Sequence, residues 1–171
     1  MGNFSPHVIL AQSAIHAYVV EGKIISPPTQ LAPELEERAG VFVCIKKYGE
    51  LRGCIGTIKP TQPTIAHEII QNAISAATRD PRFFPVEQEE LGLLTCSVDV
   101  LYPPEKIADR SMLDPKVYGV IVECGMRRGL LLPDLEGVDS VDMQIDIACK
   151  KAMIHPNEPI QLYRFEVKRF D

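Results

Sequence analysis

The residue types most able to do chemistry lie together in the segment Leu51-Arg52-Gly53-Cys54-Ile55-Gly56-Thr57. Read as a β-strand, this segment projects Arg52 and Cys54 from one face, two residues apart. A guanidinium beside a thiol favours the thiolate, the form that acts as nucleophile and as metal ligand. Gly53 and Gly56 carry no side chains, so a ligand or a neighbouring backbone can approach closely there. Cysteine is also among the most buried residue types, and on residue types alone a tightly packed strand is favoured over a reactive site.

Two further groups stand near this segment in the chain. Arg79, Asp80 and Arg82 fall in a segment broken by Pro81 and Pro85. Arginine offers a planar fork for a bidentate anion, so these residues suit an anion-binding loop. Equally, Arg79 complements the C-terminal dipole of a preceding helix and Asp80 caps the turn. His67 is a base candidate toward Cys54. It falls two residues after Ile65, off the apolar stripe of its helix, which favours a solvated histidine. Arg127 and Arg128 sit at a hairpin tip, where a solvated turn is the usual outcome, and with Arg52 they would complete a basic face.

Metal binding has little support. The four histidines are far apart, the five cysteines include no C-x-x-C pair, and Asp139, Asp142 and Asp146 lack a glycine-bearing calcium loop. Neither a G-x-G-x-x-G nor a Walker motif marks a nucleotide site, and no nucleophile elbow marks a hydrolase. No cofactor is expected.

The elements that position these residues follow from periodicity and punctuation. A helix is predicted over 5–21, with Ser5 as cap, Pro6 in its first turn, Gly22 at its end, and Val8, Ala11, Ile15, Tyr18 and Val19 facing the core. A proline-rich connection over 25–33 leads to one charged turn over 34–38. Strands over 41–46 and 51–58 flank Lys47-Tyr48-Gly49-Glu50, which has the length and glycine position of a tight hairpin. A second helix over 64–78 buries Ile65, Ile69, Ala73, Ala76 and Ala77. Alternation predicts a half-buried strand over 94–100, then a hairpin over 117–132, a third helix over 140–154, and one final strand over 160–170. Hairpins dominate and helices fall between them irregularly, so the class is α+β with antiparallel sheets, not a doubly wound parallel fold.

Composition sets the outer limits. The chain has 171 residues, 46% hydrophobic and 24% charged, which suits one globular domain with a true core. Its net charge of −5 argues against tight binding to a phosphate backbone, and the absence of Trp weakens stacking-based capture of single strands. No apolar run is long enough to span a membrane. The start Met1-Gly2-Asn3-Phe4-Ser5-Pro6-His7 suits neither a secretion signal nor myristoylation, so a cytoplasmic protein is expected. Cys44, Cys96 and Cys149 sit in apolar periodic runs, and the set Cys44, Cys54, Cys96, Cys124, Cys149 reads as reduced and mostly buried thiols.

Leu-Arg-Gly-Cys-Ile-Gly-Thr at 51–57 resembles the hallmark of the AMMECR domain family. The likeness extends through Asp80-Pro-Arg-Phe83, residues 91–101, Pro103-Pro-Glu-Lys-Ile107 and Leu130-Leu-Leu-Pro133. Lys116-Val-Tyr-Gly-Val-Ile-Val122, residues 127–138 and Tyr163-Arg-Phe165 look like the prokaryotic branch of that family, AmmeMemoRadiSam system protein A. The resemblance implies one α+β domain over 1–171 with two unequal lobes. It also implies work with a Memo-like protein and a radical-SAM protein, the latter holding the iron–sulfur cluster. Two roles stand open. In one, an enzyme subunit or ligand-binding component uses Cys54 with Arg52 and His67 for chemistry, and Gly53, Gly56, Thr57, Arg79, Asp80 and Arg82 for substrate. In the other, the domain is a non-catalytic adaptor or regulator linked to transcription or translation.

Overall fold

In the computed structural model, which describes residues 5–171, the helix punctuation of the sequence is used as written. The N-terminal reading also draws on residues 1–4, which lie outside the described residues. The elements run α1 (Pro6–Glu21), α2 (Pro33–Glu36), β1 (Gly40–Lys47), β2 (Glu50–Gly56), α3 (Ile65–Thr78), β3 (Leu94–Leu101), β4 (Glu105–Ile107), β5 (Gly119–Cys124), β6 (Arg127–Leu131), α4 (Val141–Lys151), β7 (Gln161–Phe165) and β8 (Val167–Phe170). Ser5 accepts a hydrogen bond from the Val8 N–H at 3.3 Å, and Gly22 closes α1 at φ 66°. The class is α+β. The strands form two four-stranded antiparallel sheets, ordered β2-β1-β3-β8 and β4-β7-β5-β6.

The chain divides into two units of unequal length. One reaches to Leu101 and takes up Lys168–Asp171, and the other spans Tyr102–Val167. In the first unit, Val41, Val43 and Ile45 of β1 and Val98 of β3 are fully buried against α1 and α3. The α3 stripe read from the sequence is the buried one, and each of Ile65, Ile69, Ile70 and Ile74 removed from water stabilises by about 2 kcal/mol. In the second unit, Val120, Val122 and Leu131 pack with Ile145, Ala148 and Ala152.

Each unit seats its helix on a strand through a glycine. A Cβ at Gly53 would lie 2.2 Å from the Ala76 carbonyl oxygen of α3, and one at Gly129 would lie 1.9 Å from the Ala148 carbonyl oxygen of α4. A polar clamp secures the other end of α3. The buried Glu68 carboxylate accepts from the Thr57 and Thr61 hydroxyls at 2.7 Å and from the Thr61 and Gln62 N–H groups at 2.9 and 2.8 Å. Asn72 donates to the Val41 carbonyl at 2.9 Å.

Three expectations are corrected. The final strand is two, because the alternation over 160–170 is interrupted at Glu166, and β7 and β8 belong to different sheets. The third helix stops at Lys151, where Ala152 caps it and Met153 turns left-handed at φ 54°, ahead of His155-Pro156. The short strand β4, which pairs with β7, lies in a segment whose sequence shows only that it follows Pro103-Pro104.

Gly53→Ala forces backbone apart from backbone and is expected to destabilise by about 3 kcal/mol. Gly92→Ala, where a Cβ meets nothing within 4 Å, is expected to stay within about 0.5 kcal/mol of the parent. Urea midpoints of the two variants check this, and equal midpoints would contradict the seating of α3 on β2.

Candidate functional site

The hairpin of β1 and β2 turns through Tyr48 at φ 53° and Gly49 at φ 83°, the two positive dihedrals that a two-residue type I′ loop needs. Its register begins with Lys47 opposite Glu50 and Lys46 opposite Leu51, then continues with Ile45 opposite Gly53 and Cys44 opposite Cys54. Arg52 is therefore an extra residue, a β-bulge. The bulge breaks the two-residue alternation that would set Arg52 beside Cys54. The guanidinium instead donates to Glu90 from Nε at 3.0 Å and Nη2 at 2.8 Å, and to the Phe84 carbonyl from Nη1 at 3.0 Å. Lys47 adds a bond to Glu90 at 2.9 Å. Arg52 thus anchors the segment after α3 and is not engaged with the Cys54 thiol.

That segment also fastens Cys54 through its backbone. The Cys54 N–H donates to Asp80 Oδ2 at 2.9 Å, and its carbonyl accepts from Arg82 Nη2 at 3.4 Å. Asp80 holds Arg82 in turn, through Nε at 3.0 Å and Nη2 at 2.7 Å. The Phe83 ring lies 5.9 Å from the Arg52 guanidinium and 5.6 Å from that of Arg82. The outer edge of β2, which would otherwise present unpaired backbone groups, is covered by this clasp. The Arg82 guanidinium, aided by the Cys54 N–H, holds the buried Asp80 carboxyl at about 2. The Arg52 guanidinium holds Glu90 at about 2 as well.

The Cys54 thiol points away from the helices. Val43, Ile45, Gly53 and Ile55 take the core side of the hairpin, which leaves Phe42, Cys44 and Cys54 on the opposite face. There the two thiols are cross-strand neighbours. Their interaction pulls the Cys44 thiol below its ordinary pKa and pushes Cys54 far above, with burial adding to the rise and Arg82 opposing it. Both cysteines are half-buried, whereas Cys96 and Cys149 are buried, and burial lifts Cys96 to about 12. Ser97 of β3 stands opposite Cys44, and Asp99 on the same strand is gripped by Arg169 at 2.8 and 2.9 Å.

Several candidates read from the sequence have other occupations. The space beside Gly53 holds α3, and that beside Gly56 holds the Phe42 ring, 2.2 Å from where a Cβ on that glycine would stand. The Thr57 hydroxyl donates to Glu68 at 2.7 Å and accepts from Asn72 at 3.3 Å. His67 Nδ1 lies 2.8 Å from the Thr64 hydroxyl that caps α3, so its polar contact is at the helix start. Arg79 is exposed at the C-terminal end of α3, and Arg82 keeps about half of its side chain in solvent. Sequence reasoning passes over Cys44 and Glu90 as site residues. Cys44 shares its strand parity with the exposed Lys46, and that parity is the signal that separates it from a core cysteine. Among the described residues, no group of three or more His, Cys, Asp or Glu is placed to hold a metal ion.

Two outcomes are expected. Asp80 and Glu90 have depressed native pKa values, so their contribution is present above about pH 4.5 and lost as pH falls toward 2. Each carboxylate is worth on the order of 2 kcal/mol, and Asp80→Asn is expected to flatten that acid limb in denaturant titrations between pH 5 and 2. An unaltered limb would remove Asp80 from the clasp. Iodoacetamide at pH 7 is expected to modify Cys44 ahead of Cys54, Cys44→Ser to speed modification of Cys54, and Arg52→Ala to leave both rates within about twofold. A slower Cys54 in Arg52→Ala would restore Arg52 as its tuner.

Comparison with other proteins bears on the same stretch of chain. A protein of Thermotoga maritima is 52% identical over 168 residues, covering 96% of this chain and 97% of that one. A Clostridium acetobutylicum protein is 48% identical over 96% of this chain but only 35% of its own length, so the matched region is one part of a longer polypeptide. The crystal structure of uncharacterized protein PH0010 from Pyrococcus horikoshii superposes with a TM-score of 0.88 at 37% identity, covering 95% of this chain and 88% of that one. The AMMECR1 family model matches residues 8–170, a span that includes the bulged hairpin, the Asp80–Arg82 clasp and both sheets. By that match and by the identity of its relatives, the chain belongs to the AMMECR1 family.

Proposed function

We propose that this protein is the ligand-binding component of a system that also contains a Memo-like protein and a radical-SAM protein, with its binding site on the outer face of β1 and β2 around Cys54. The observation that carries the reading is the clasp on Cys54. Its N–H and C=O are held by Asp80 and Arg82, so the thiol keeps a fixed position while half of the Arg82 side chain stays open to solvent. Lys46 adds positive potential at the neighbouring Cys44, while Asp99 and its partner Arg169 act there in opposite senses. A half-exposed guanidinium and a lysine beside two thiols suit a small ligand bearing a carboxylate or phosphate beside a group that contacts sulfur. Cys54 serves as a positioned contact, since burial and the neighbouring Cys44 raise its pKa.

The adaptor reading has one observation in its favour. In the Clostridium relative the matched region is joined to further sequence, an arrangement suited to a domain that works beside another polypeptide. No helix among the described residues is long and apolar enough to cross a membrane.

The two readings separate in one experiment. The parent, Cys54→Ser and Arg82→Gln proteins are combined with the Memo-like and radical-SAM proteins and a metabolite extract, and both assembly and product are measured. Cys54→Ser and Arg82→Gln are expected to assemble like the parent and to lose product by at least about tenfold. Loss of assembly with no parent product would leave the adaptor role.

A further inference from the structure

We propose that Cys44 and Cys54 form a two-electron dithiol–disulfide couple that exchanges with small-molecule disulfides. The first support is register. The Thr57 N–H donates to the Val41 carbonyl at 3.0 Å, one step beyond the Phe42–Gly56 pair that ends the β1–β2 register. Hydrogen-bonded and non-hydrogen-bonded pairs alternate along an antiparallel ladder. Counting from Val41–Thr57, Phe42–Gly56 is non-bonded, Val43–Ile55 bonded and Cys44–Cys54 non-bonded.

The backbone bonds of Cys54 give the same answer independently. Its N–H and C=O point outward to Asp80 and Arg82, away from β1, as a non-bonded position requires. In such a pair the Cα atoms stand about 4.5 Å apart and the side chains lean toward each other. That separation lies within the range a disulfide spans, so the bridge closes without moving a strand. Both cysteines are partly exposed, and exposed bridges have the higher reduction potentials that mark labile disulfides and not permanent staples.

The chemistry balances with a low-molecular-weight disulfide as oxidant. The Cys44 thiolate attacks one sulfur of the small disulfide, forming a mixed disulfide and expelling one thiolate, which takes a proton from water. The negative charge that held the Cys54 proton is then gone, and Arg82 favours its ionisation. The Cys54 thiolate attacks the Cys44 sulfur, breaks the mixed disulfide and expels the second thiolate, which takes up, through water, the proton Cys54 released. Two protein thiols are oxidised, and one small disulfide is reduced to two thiols. Cys96 and Cys149 are buried, and Cys124 lies in the other unit, where Arg127 Nη2 is 3.5 Å from its sulfur. Neither Cys44 nor Cys54 therefore has another cysteine of this chain opposite it in the ladder.

The test uses the whole reduced chain and glutathione disulfide, with acid quenching, digestion and mass spectrometry. The parent is expected to yield a peptide linking Cys44 to Cys54 and to lose two of its five thiols, with dithiothreitol restoring both. Cys54→Ser is expected to trap glutathione on Cys44, Cys44→Ser to give no link, and Cys124→Ser to give the parent result. Circular dichroism confirms that each variant is folded, and the Cys124→Ser protein keeps the measurement decisive should either serine variant unfold. Glutathione on both cysteines without a link, or a modified Cys124 beside an untouched Cys44–Cys54 pair, would overturn the couple. Because the link is read on the isolated chain without partners or metabolites, its failure and the failure of the ligand-binding reading are separate results.

Discussion

A carbonyl oxygen of α3 and the backbone of β2 come so close at Gly53 that no side chain fits between them, and much of the first unit follows from that contact. Seating the helix there carries its C-terminal end down to the outer edge of β2, where the chain leaves as Arg79-Asp80-Pro81-Arg82. Asp80 arrives within reach of the Cys54 N–H only because Ala76, four residues earlier, rests on Gly53. The Val86 N–H then bonds the Ala77 carbonyl at 2.8 Å and turns the segment back along the strand toward Glu90. The glycine beside the cysteine is thus a packing requirement with a consequence for the site. A residue with a side chain at 53 would lift the helix and, with it, the clasp.

The opposite end of α3 is fixed by a different kind of force. Glu68 is buried, and a buried carboxylate is tolerable only where donors replace the water it loses. Four donors from Thr57, Thr61 and Gln62 do so, and Asn72 ties the same helix to β1. Thr57 ends the Leu-Arg-Gly-Cys-Ile-Gly-Thr segment, so this segment carries one residue for helix seating, one for the polar clamp and one for the thiol. The second unit repeats the glycine device at Gly129 under α4, which shows that close strand–helix approach is a general solution in this fold.

Electrostatics divide the labour between the two arginines of the site. Arg52 is nearly buried and bidentate to Glu90, a structural ion pair whose carboxyl stays ionised down to about pH 2. Arg82 is shared between Asp80 and solvent, which leaves it able to meet an incoming anion. The two cysteines divide in a similar way. Their interaction lowers the pKa of Cys44 and raises that of Cys54, a polarity that neither thiol would have alone.

Local and periodic information determined a good deal. The cap at Ser5, the helix starts near Thr64 and Ser140, the stop at Gly22, the Tyr48-Gly49 turn and the apolar stripes of α1 and α3 depend on residues within a few positions of one another, so they are legible in the chain. The antiparallel α+β class follows from the same local signals. What the sequence left undecided depends on residues far apart. Continuing the register from Lys47–Glu50 without a break would place Cys44 opposite Gly53, and only the bulge at Arg52 moves Cys54 into that position. The bulge serves an ion pair with Glu90, thirty-eight positions away in sequence. The division of the last eleven residues between two sheets likewise depends on pairing partners laid down much earlier. Side-chain types and short-range spacing therefore named the cysteine, the glycines and the arginines, and the tertiary structure alone decided which of them meet, because register is set by long-range contacts that no local pattern encodes.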